Sequence, residues 1–358
     1  MAEKDTKKGR ATIKDVAELA QTSVATVSRV LGDSGYGVTA QLRKRVLAAA
    51  EALSYVPSAA AQKLRGGGSR DIGLVIPNIT NPFYMQTIQG ISAVCYDRNY
   101  HIILCNSARS VERERAFLEQ LYARQVQGVI LSSADEEHSS VADFLSRGMK
   151  FVQLDQRFER EECACINYDS ELGARMAVRH LAEKGHRRIA FASTPLTRWT
   201  RKAVLKGYRE EMAEQGFQDE AAGLVFISEP VEAVESGSYE MDAGCSVAQQ
   251  ILERRADVTA VFCVNDMVAF GVIAELRRSG VRIPEDLSVV GFDDIPFAES
   301  FMPPITTIRC PSYETGRLAA MMLIDQLGDG SKSLHLNMSL QPILIERQSV
   351  RDLRGQAE

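Results

Sequence analysis

Residues 12–31 read TIKDVAELAQTSVATVSRVL. Ile13, Val16, Ala17, Leu19 and Ala20 recur at helical spacing, and Thr12 is placed to cap the helix ahead of Asp15. The phase breaks at Gln21-Thr22-Ser23 and resumes with Val24, Val27, Val30 and Leu31. Two short helices, a tight turn and small residues at their crossing predict a helix-turn-helix. A third helix is expected over 39–53, opened by Thr39 and carrying Arg43-Lys44-Arg45. It supplies Leu42, Val46, Ala49 and Leu53 to a small three-helix core. By pattern alone this head is either a DNA-binding module or a helical bundle with a structural or protein-binding role.

Outward from the head, charge and length sharpen that choice. Residues 1–70 hold 12 Lys and Arg against 6 Asp and Glu, although the 358-residue chain has a net charge of -5. A basic head on an acidic body suggests that the head meets a polyanion and the body does not. The length suits two or three domains, and 45% hydrophobic with 25% charged residues supports buried cores. No apolar run has the length needed to cross a bilayer, and MAEKDTKKGR at the start lacks the apolar region of a secretory signal. The expectation is a soluble, intracellular protein with no membrane partner.

Seven cysteines form no CxxC pair, and Cys163 and Cys165 would share one face of a strand. His180 and His186 lack i, i+4 spacing and there is no HExxH, so neither a metal nor a cofactor is expected. The sequons at Asn78 and Asn337 are chance matches in an intracellular chain.

TIKDVAELAQTSVATVSRVL, continued by VTAQLRKRVLAAAEALSYVPSAAAQKLR, closely resembles the DNA-binding head of the lactose/galactose-repressor (LacI/GalR) family. The resemblance implies a first helix over about 13–20 and a recognition helix over about 23–31. It implies that Val24, Ala25 and Arg29 face base edges, and that Ser23, Thr26, Ser28, Thr39 and Tyr55 lie towards phosphates or support them. Arg29 is the strong base reader of the set, able to engage guanine with two hydrogen bonds, whereas Val24 and Ala25 can only meet a thymine methyl. Residues 57–65 (PSAAAQKLR) match the family's hinge helix, with Ala61 permitting close approach of two such helices, Leu64 as a minor-groove wedge and Arg65 beside it. Two departures stand out. Gln21 replaces the usual turn glycine, at a cost of about 1 kcal/mol if its φ is positive. The loop over 32–38 is about one residue longer than typical.

From Asp71 onward short apolar runs alternate with amphipathic helices. Strands are expected over 72–76, 102–104, 129–131, 151–154, 189–191, 225–227, 261–264, 289–292 and 305–308. Helices are expected over 83–98, 113–124, 172–184, 203–215 and 268–279. This alternation predicts parallel sheets with helices on both faces, and the number of strands predicts two Rossmann-like subdomains. Ligands of such sheets sit beyond the carboxyl ends of the strands, here 77–84 (PNITNPFY), 155–157, 265–266 and 293–294. Amides and carboxylates there suit adjacent hydroxyls, and Phe83 and Tyr84 suit the apolar face of a sugar. The plainer alternative is that each Asn or Asp only caps the helix that follows.

IGLVIPNITNPFY, HLAEKGHRRIAF, VFCVNDMVAFGVIAEL and IPEDLSVVGFDDIPFA resemble the periplasmic-binding-protein-like core of these repressors, especially the ribose-repressor branch around TNPFY and ILCN. That resemblance implies two lobes crossed by three strands, with effector contacts on Asn81, Phe83, Tyr84, Asp155, Asn265 and Asp293. It also marks losses of pocket polarity: Val204, Cys310 and Gln156 stand where the family carries arginine, glutamine and arginine, and Arg201 or Lys202 is a possible substitute. Trp199 is expected to cover the lobe more than to stack on a ligand.

The expected architecture is an all-α helix-turn-helix head over 11–56, a hinge and linker over 57–70, and an α/β two-lobed effector-binding and dimerisation domain over 71–350. Its N-lobe takes about 71–168 and 311–338, its C-lobe about 169–310 and 339–350. The expected function is a repressor that binds near-palindromic double-stranded operator DNA as a homodimer under control of a sugar-like effector. The competing readings are a solute receptor, which lacks its signal peptide, and an enzyme using the Asp-rich cleft, for which no catalytic motif is present.

Overall fold

The computed structural model describes residues 11–32, 37–56, 70–135, 139–156, 163–221, 223–229, 238–328 and 336–354. It falls into two compact units, Met1–Ser69 and Arg70–Glu358.

In the first unit α1 (Ile13–Leu19) opens with a capping box: Thr12 accepts from the Asp15 amide while the Asp15 side chain accepts from the Thr12 amide. α2 (Val24–Leu31) and α3 (Ala40–Ala52) are capped by Ser23 and Thr39. Val16, Val27 and Val46 are fully buried, one from each helix, and Leu42 and Leu53 pack at the edge of the same core. The turn between α1 and α2 passes through Gln21 at φ 48, a left-handed conformation that a β-carbon resists. Its geometry is held by the Thr22 N–H to the Ala17 carbonyl at 2.9 Å and by Arg45, which donates to the carbonyls of Ala20 at 2.7 Å and Gln21 at 3.1 Å. Arg45 of the basic cluster is therefore a brace for the turn.

The second unit contains a parallel six-stranded sheet. Its order is β11 (Asn337–Leu340), β5 (Ala164–Tyr168), β4 (Lys150–Leu154), β3 (Gly128–Leu131), β1 (Asp71–Ile76) and β2 (His101–Asn106). A parallel four-stranded sheet runs β7 (Val225–Ile227), β6 (Ile189–Ser193), β8 (Ala260–Cys263), β9 (Ser288–Val290). β10 (Thr307–Arg309) pairs antiparallel with β12 (Ile343–Ile345), and the bridges Val290–Thr306 and Asp293–Arg309 attach it to the end of β9.

Alternation along β1 sends Ile72, Leu74 and Ile76 to the face covered by α4 (Phe83–Asp97). Val75 goes to the opposite face, with Leu118 and Leu121 of α5 (Val111–Ala123) and Phe144 of α6 (Ser139–Ser146). Each such side chain, fully buried, contributes about 1.5–3 kcal/mol. Cys163 and Cys165 share that second face, as the strand spacing predicts. The chain leaves the first sheet after β5 into α7 (Ser170–Glu183), which packs on α8 (Trp199–Glu214). It returns after β10 in α13 (Ser312–Gly328), counting α9 (Gln218–Ala221), α10 (Tyr239–Glu253), α11 (Asp266–Arg278) and α12 (Phe297–Ser300) between. α13 crosses α4 where Gly90 faces the Tyr313 carbonyl and Gly316 faces the Thr87 carbonyl, leaving no room for a β-carbon on either.

Most expected elements are present within a residue or two. β5, β11 and β12 are strands beyond those expected, and α8 begins at Trp199 rather than at residue 203, with consequences for the site below. No helix among the described residues is long and apolar enough to cross a membrane.

Candidate functional site

In the head, Val27 and Val30 turn α2 inward, so Val24, Ala25 and Arg29 lie together on its exposed face. Ser23 Oγ accepts from the Thr26 N–H at 3.1 Å and shares a 2.9 Å hydrogen bond with Thr26 Oγ1. Thr39 Oγ1 accepts from the Leu42 N–H at 3.4 Å. Ser23 and Thr39 are thus helix caps first, standing at helix N-termini where backbone N–H groups favour an anion. Ser28 is half-buried, and Tyr55 packs against the head core. Ala61, Leu64 and Arg65, with the whole expected hinge helix, lie outside the described residues.

In the second unit the six expected effector residues, Asn81, Phe83, Tyr84, Asp155, Asn265 and Asp293, line one cleft of about 530 Å³, its open mouth included. They stand beyond the carboxyl ends of β1, β4, β8 and β9. Asp155 and Asp293 follow their strands at φ 56 and φ 110, backbone positions that cost about 1–3 kcal/mol each and are found most often at binding sites. Asn265 does cap α11, accepting from the Val268 N–H at 2.8 Å, and Asn81 accepts from the Phe83 N–H at 3.0 Å. Capping and lining the cleft therefore coexist. Asp294 turns away into ion pairs with Arg309 at 2.6 Å and Arg347 at 2.7 Å, so only Asp293 of the pair lines the cleft.

Buried Asp266, at the start of α11, fixes this corner. It accepts from Thr307 Oγ1 at 2.6 Å and from the Ile295 N–H at 2.9 Å, tying β10 and the loop after Asp293 to α11. Burial lifts its carboxyl to about 7.

The expected loss of polarity is corrected by α8. Because the helix starts at Trp199, Arg198 and Arg201 fall on the same face as Val204 and line the cleft with it. Arg198 donates to Tyr84 Oη at 3.0 Å and to Ser132 Oγ at 2.8 Å. Burial works against its charge, but Tyr84 and Asp155 outweigh that and raise its pKa. Lys202 is exposed, and Trp199 does not line the cleft. Gln156 is spent on the Ser133 carbonyl at 2.9 Å, and Cys310 is buried outside the lining.

Sequence reasoning also missed Glu240 and Arg109. Glu240 pairs with Arg109, lies 3.9 Å from Arg201, and accepts from Asn78 at 3.4 Å and Asn81 at 3.3 Å. The Arg109 guanidinium sits 4.2 Å from the centre of the Tyr239 ring. Tyr168 and Phe292 complete an aromatic wall, Tyr168 lying 6.0 Å from Phe83 and 6.2 Å from Phe292 between ring centres. A cleft with flat apolar faces, amides, carboxylates and arginines can hold a small polar molecule by many hydrogen bonds at once.

Two family descriptions match the chain: "Bacterial regulatory proteins, lacI family" over residues 12–58 and "Periplasmic binding protein-like domain" over residues 178–350. The HTH-type transcriptional repressor PurR of Photobacterium profundum is 32% identical over 345 residues, covering 96% of this chain and 99% of that protein. Among solved structures, the lac repressor dimer bound to operator and the anti-inducer ONPF has a TM-score of 0.83 at 27% identity, covering 96% of this chain and 100% of that one. The transcriptional regulator CelR in complex with cellobiose has a TM-score of 0.70 at 28% identity, covering 95% and 100%.

Proposed function

Because the chain belongs to the LacI family of bacterial regulatory proteins, DNA-binding regulators without enzymatic activity, we propose that it is a repressor of a near-palindromic operator, acting as a homodimer under control of a small polyhydroxylated effector. The observation that carries this reading is the exposed face of α2, where Val24, Ala25 and Arg29 stand together on a helix whose other face is locked into the head core. Arg29 reads guanine through its O6 and N7, a contact that discriminates by about 1–3 kcal/mol. Val24 and Ala25 admit thymine methyls. Ser23, Thr26, Ser28, Thr39 and Tyr55 serve the phosphates, and Ala61, Leu64 and Arg65 serve the minor groove.

The lac repressor structure, a dimer on operator, supports the dimeric reading, and the CelR–cellobiose complex supports a sugar-like ligand in the cleft. Asn81, Phe83, Tyr84, Asp155, Asn265 and Asp293 contact that effector. Control requires that the ligand bind the DNA-competent and DNA-incompetent states with different affinities. The test is selection from random DNA duplexes at stated salt with the full chain. Enrichment of a palindrome, lost on Arg29→Ala, supports the proposal. No enrichment, with or without added sugars and nucleosides, refutes it.

A further inference from the structure

We infer that the cleft is built for a polyhydroxylated ligand carrying one anionic group, a carboxylate or a phosphate, with Arg198 and Arg201 as the groups that receive it. The inference rests on the reading of the cleft as an effector site and names the class of effector.

Among the described residues three arginines line this cleft, and their partners are unevenly shared. Arg109 is satisfied by Glu240 and by the Tyr239 ring. Arg201 is 9% exposed, yet its ion pair with the same Glu240 carboxylate is long, at 3.9 Å, and its Nε has no hydrogen-bond partner. Arg198 donates only to the neutral hydroxyls of Tyr84 and Ser132, and its Nε is likewise without a partner. A buried donor left unpaired is costly, so these two Nε groups, on half-buried Arg198 at the N-cap of α8 and on buried Arg201 three residues further on, form a receptor for an oxyanion.

The carboxylates of the cleft leave these two donors unfilled. Glu240 is engaged by Arg109, Arg201 and two asparagines. Burial, with Asp266 and Asp155 nearby, pushes Asp293 well above the ordinary carboxylate range. Burial lifts Asp155 to about 6, opposed by Arg198 and the Ser132 hydrogen bond. An oxyanion of the ligand supplies the acceptors that Arg198 and Arg201 lack. Asp155 Oδ1, which has no partner, is available to ligand hydroxyls, and Phe83, Tyr168 and Phe292 offer faces to an apolar ring surface.

The experiment is calorimetric titration of the full chain with matched neutral and acidic ligands. The pairs are D-glucose with D-glucuronate and glucose 6-phosphate, D-galactose with D-galacturonate, and D-ribose with ribose 5-phosphate. The expected result is an acid that binds one per chain at least about tenfold tighter than its neutral parent. The carboxylate and phosphate arms identify which anion is received. Arg201→Gln is expected to remove that preference, and Glu240→Gln, which deletes the carboxylate that engages Arg109 and Arg201, to tighten acid binding several-fold. The second variant decides the matter if the first does not fold. Neutral parents binding as tightly as their acids, or acid binding unmoved by Glu240→Gln, overturns the inference and leaves the regulator reading intact. Binding by no acid at millimolar concentration also overturns it. Failure of the regulator reading has a different signature, the absence of any selected duplex.

Discussion

Gln21→Gly isolates one local feature of the DNA-binding head. Gln21 lies at φ 48 with its side chain exposed, so the substitution removes no buried contact. The ties that shape the turn are all backbone atoms of this segment: the Gln21 N–H to the Glu18 carbonyl at 3.0 Å, the Thr22 N–H to the Ala17 carbonyl at 2.9 Å, and the two carbonyls held by Arg45. They survive the change. A β-carbon in the left-handed region costs about 1–2 kcal/mol. Glycine returns part of that gain, about 0.4–1 kcal/mol, through the larger freedom of the unfolded chain. The net stabilisation is about 1 kcal/mol, or about fivefold in the closed-to-open ratio. Native-state hydrogen exchange on the amides of Val16, Val27 and Val46, measured in the full chain, reads this directly. The head amides are expected to gain about fivefold protection while those of Ile72 and Val261 do not change. Gln21→Ala, which keeps a β-carbon, is expected to give no gain. Equal protection in the glycine and alanine variants, or loss of protection in the glycine variant, refutes the reasoning.

Other consequences follow from single residues. Arg29→Ala is expected to weaken binding to a selected duplex by about 1–3 kcal/mol per head and to flatten base preference at one position per half-site, with head stability unchanged; fluorescence titration and thermal melting check both. Gly316→Ala places a methyl against the Thr87 carbonyl at the α4–α13 crossing and is expected to lower the stability of the second unit by about 1–3 kcal/mol in urea denaturation. His186 is buried and bonded to Thr259 at 3.1 Å, to the Arg351 carbonyl at 3.0 Å and to Ser288 at 3.0 Å. Burial depresses its folded pKa to about 4, so the unfolded chain takes up a proton below about 6.5 that the folded chain refuses. The stability it contributes is therefore present above pH 6.5 and is lost as pH falls towards 4, by about 3 kcal/mol in all. The stability difference between the parent and His186→Gln should shrink across that window; a difference independent of pH contradicts the assignment.

What could be read in advance depended on how local the determining physics was. α2 was legible because Ser23 caps it and Val27 and Val30 bury one side of it, all within nine residues. β1 was legible because its apolar residues are buried on both faces of a parallel sheet. β11 was not: Asn337-Met-Ser-Leu340 is a half-exposed edge strand whose partner, β5, lies about 170 residues earlier. The six cleft residues at strand ends were reachable through topology, since every such end opens on the same side of its sheet. Arg198 was missed, and Arg201 was named only as an alternative to Lys202, because Trp199-Thr200-Arg201-Lys202 lacks the apolar stripe that marked residues 203–215, although it forms the first turn of α8. Glu240 had no local signal at all. Its role comes from Asn78, Asn81 and Arg109, which precede it by 131 to 162 residues.

The central claim is that ligand in the cleft and DNA on the head act on one equilibrium. The measurement that tests it most directly is reciprocal: the operator Kd with and without saturating ligand, and the ligand Kd with and without saturating operator. Linkage requires the two ratios to be equal, and a working switch requires a ratio of about 5 to 150. Equal ratios in that range are the predicted result. Ratios of one, with both ligands demonstrably bound, would show a head and a cleft that do not communicate, and would contradict the account.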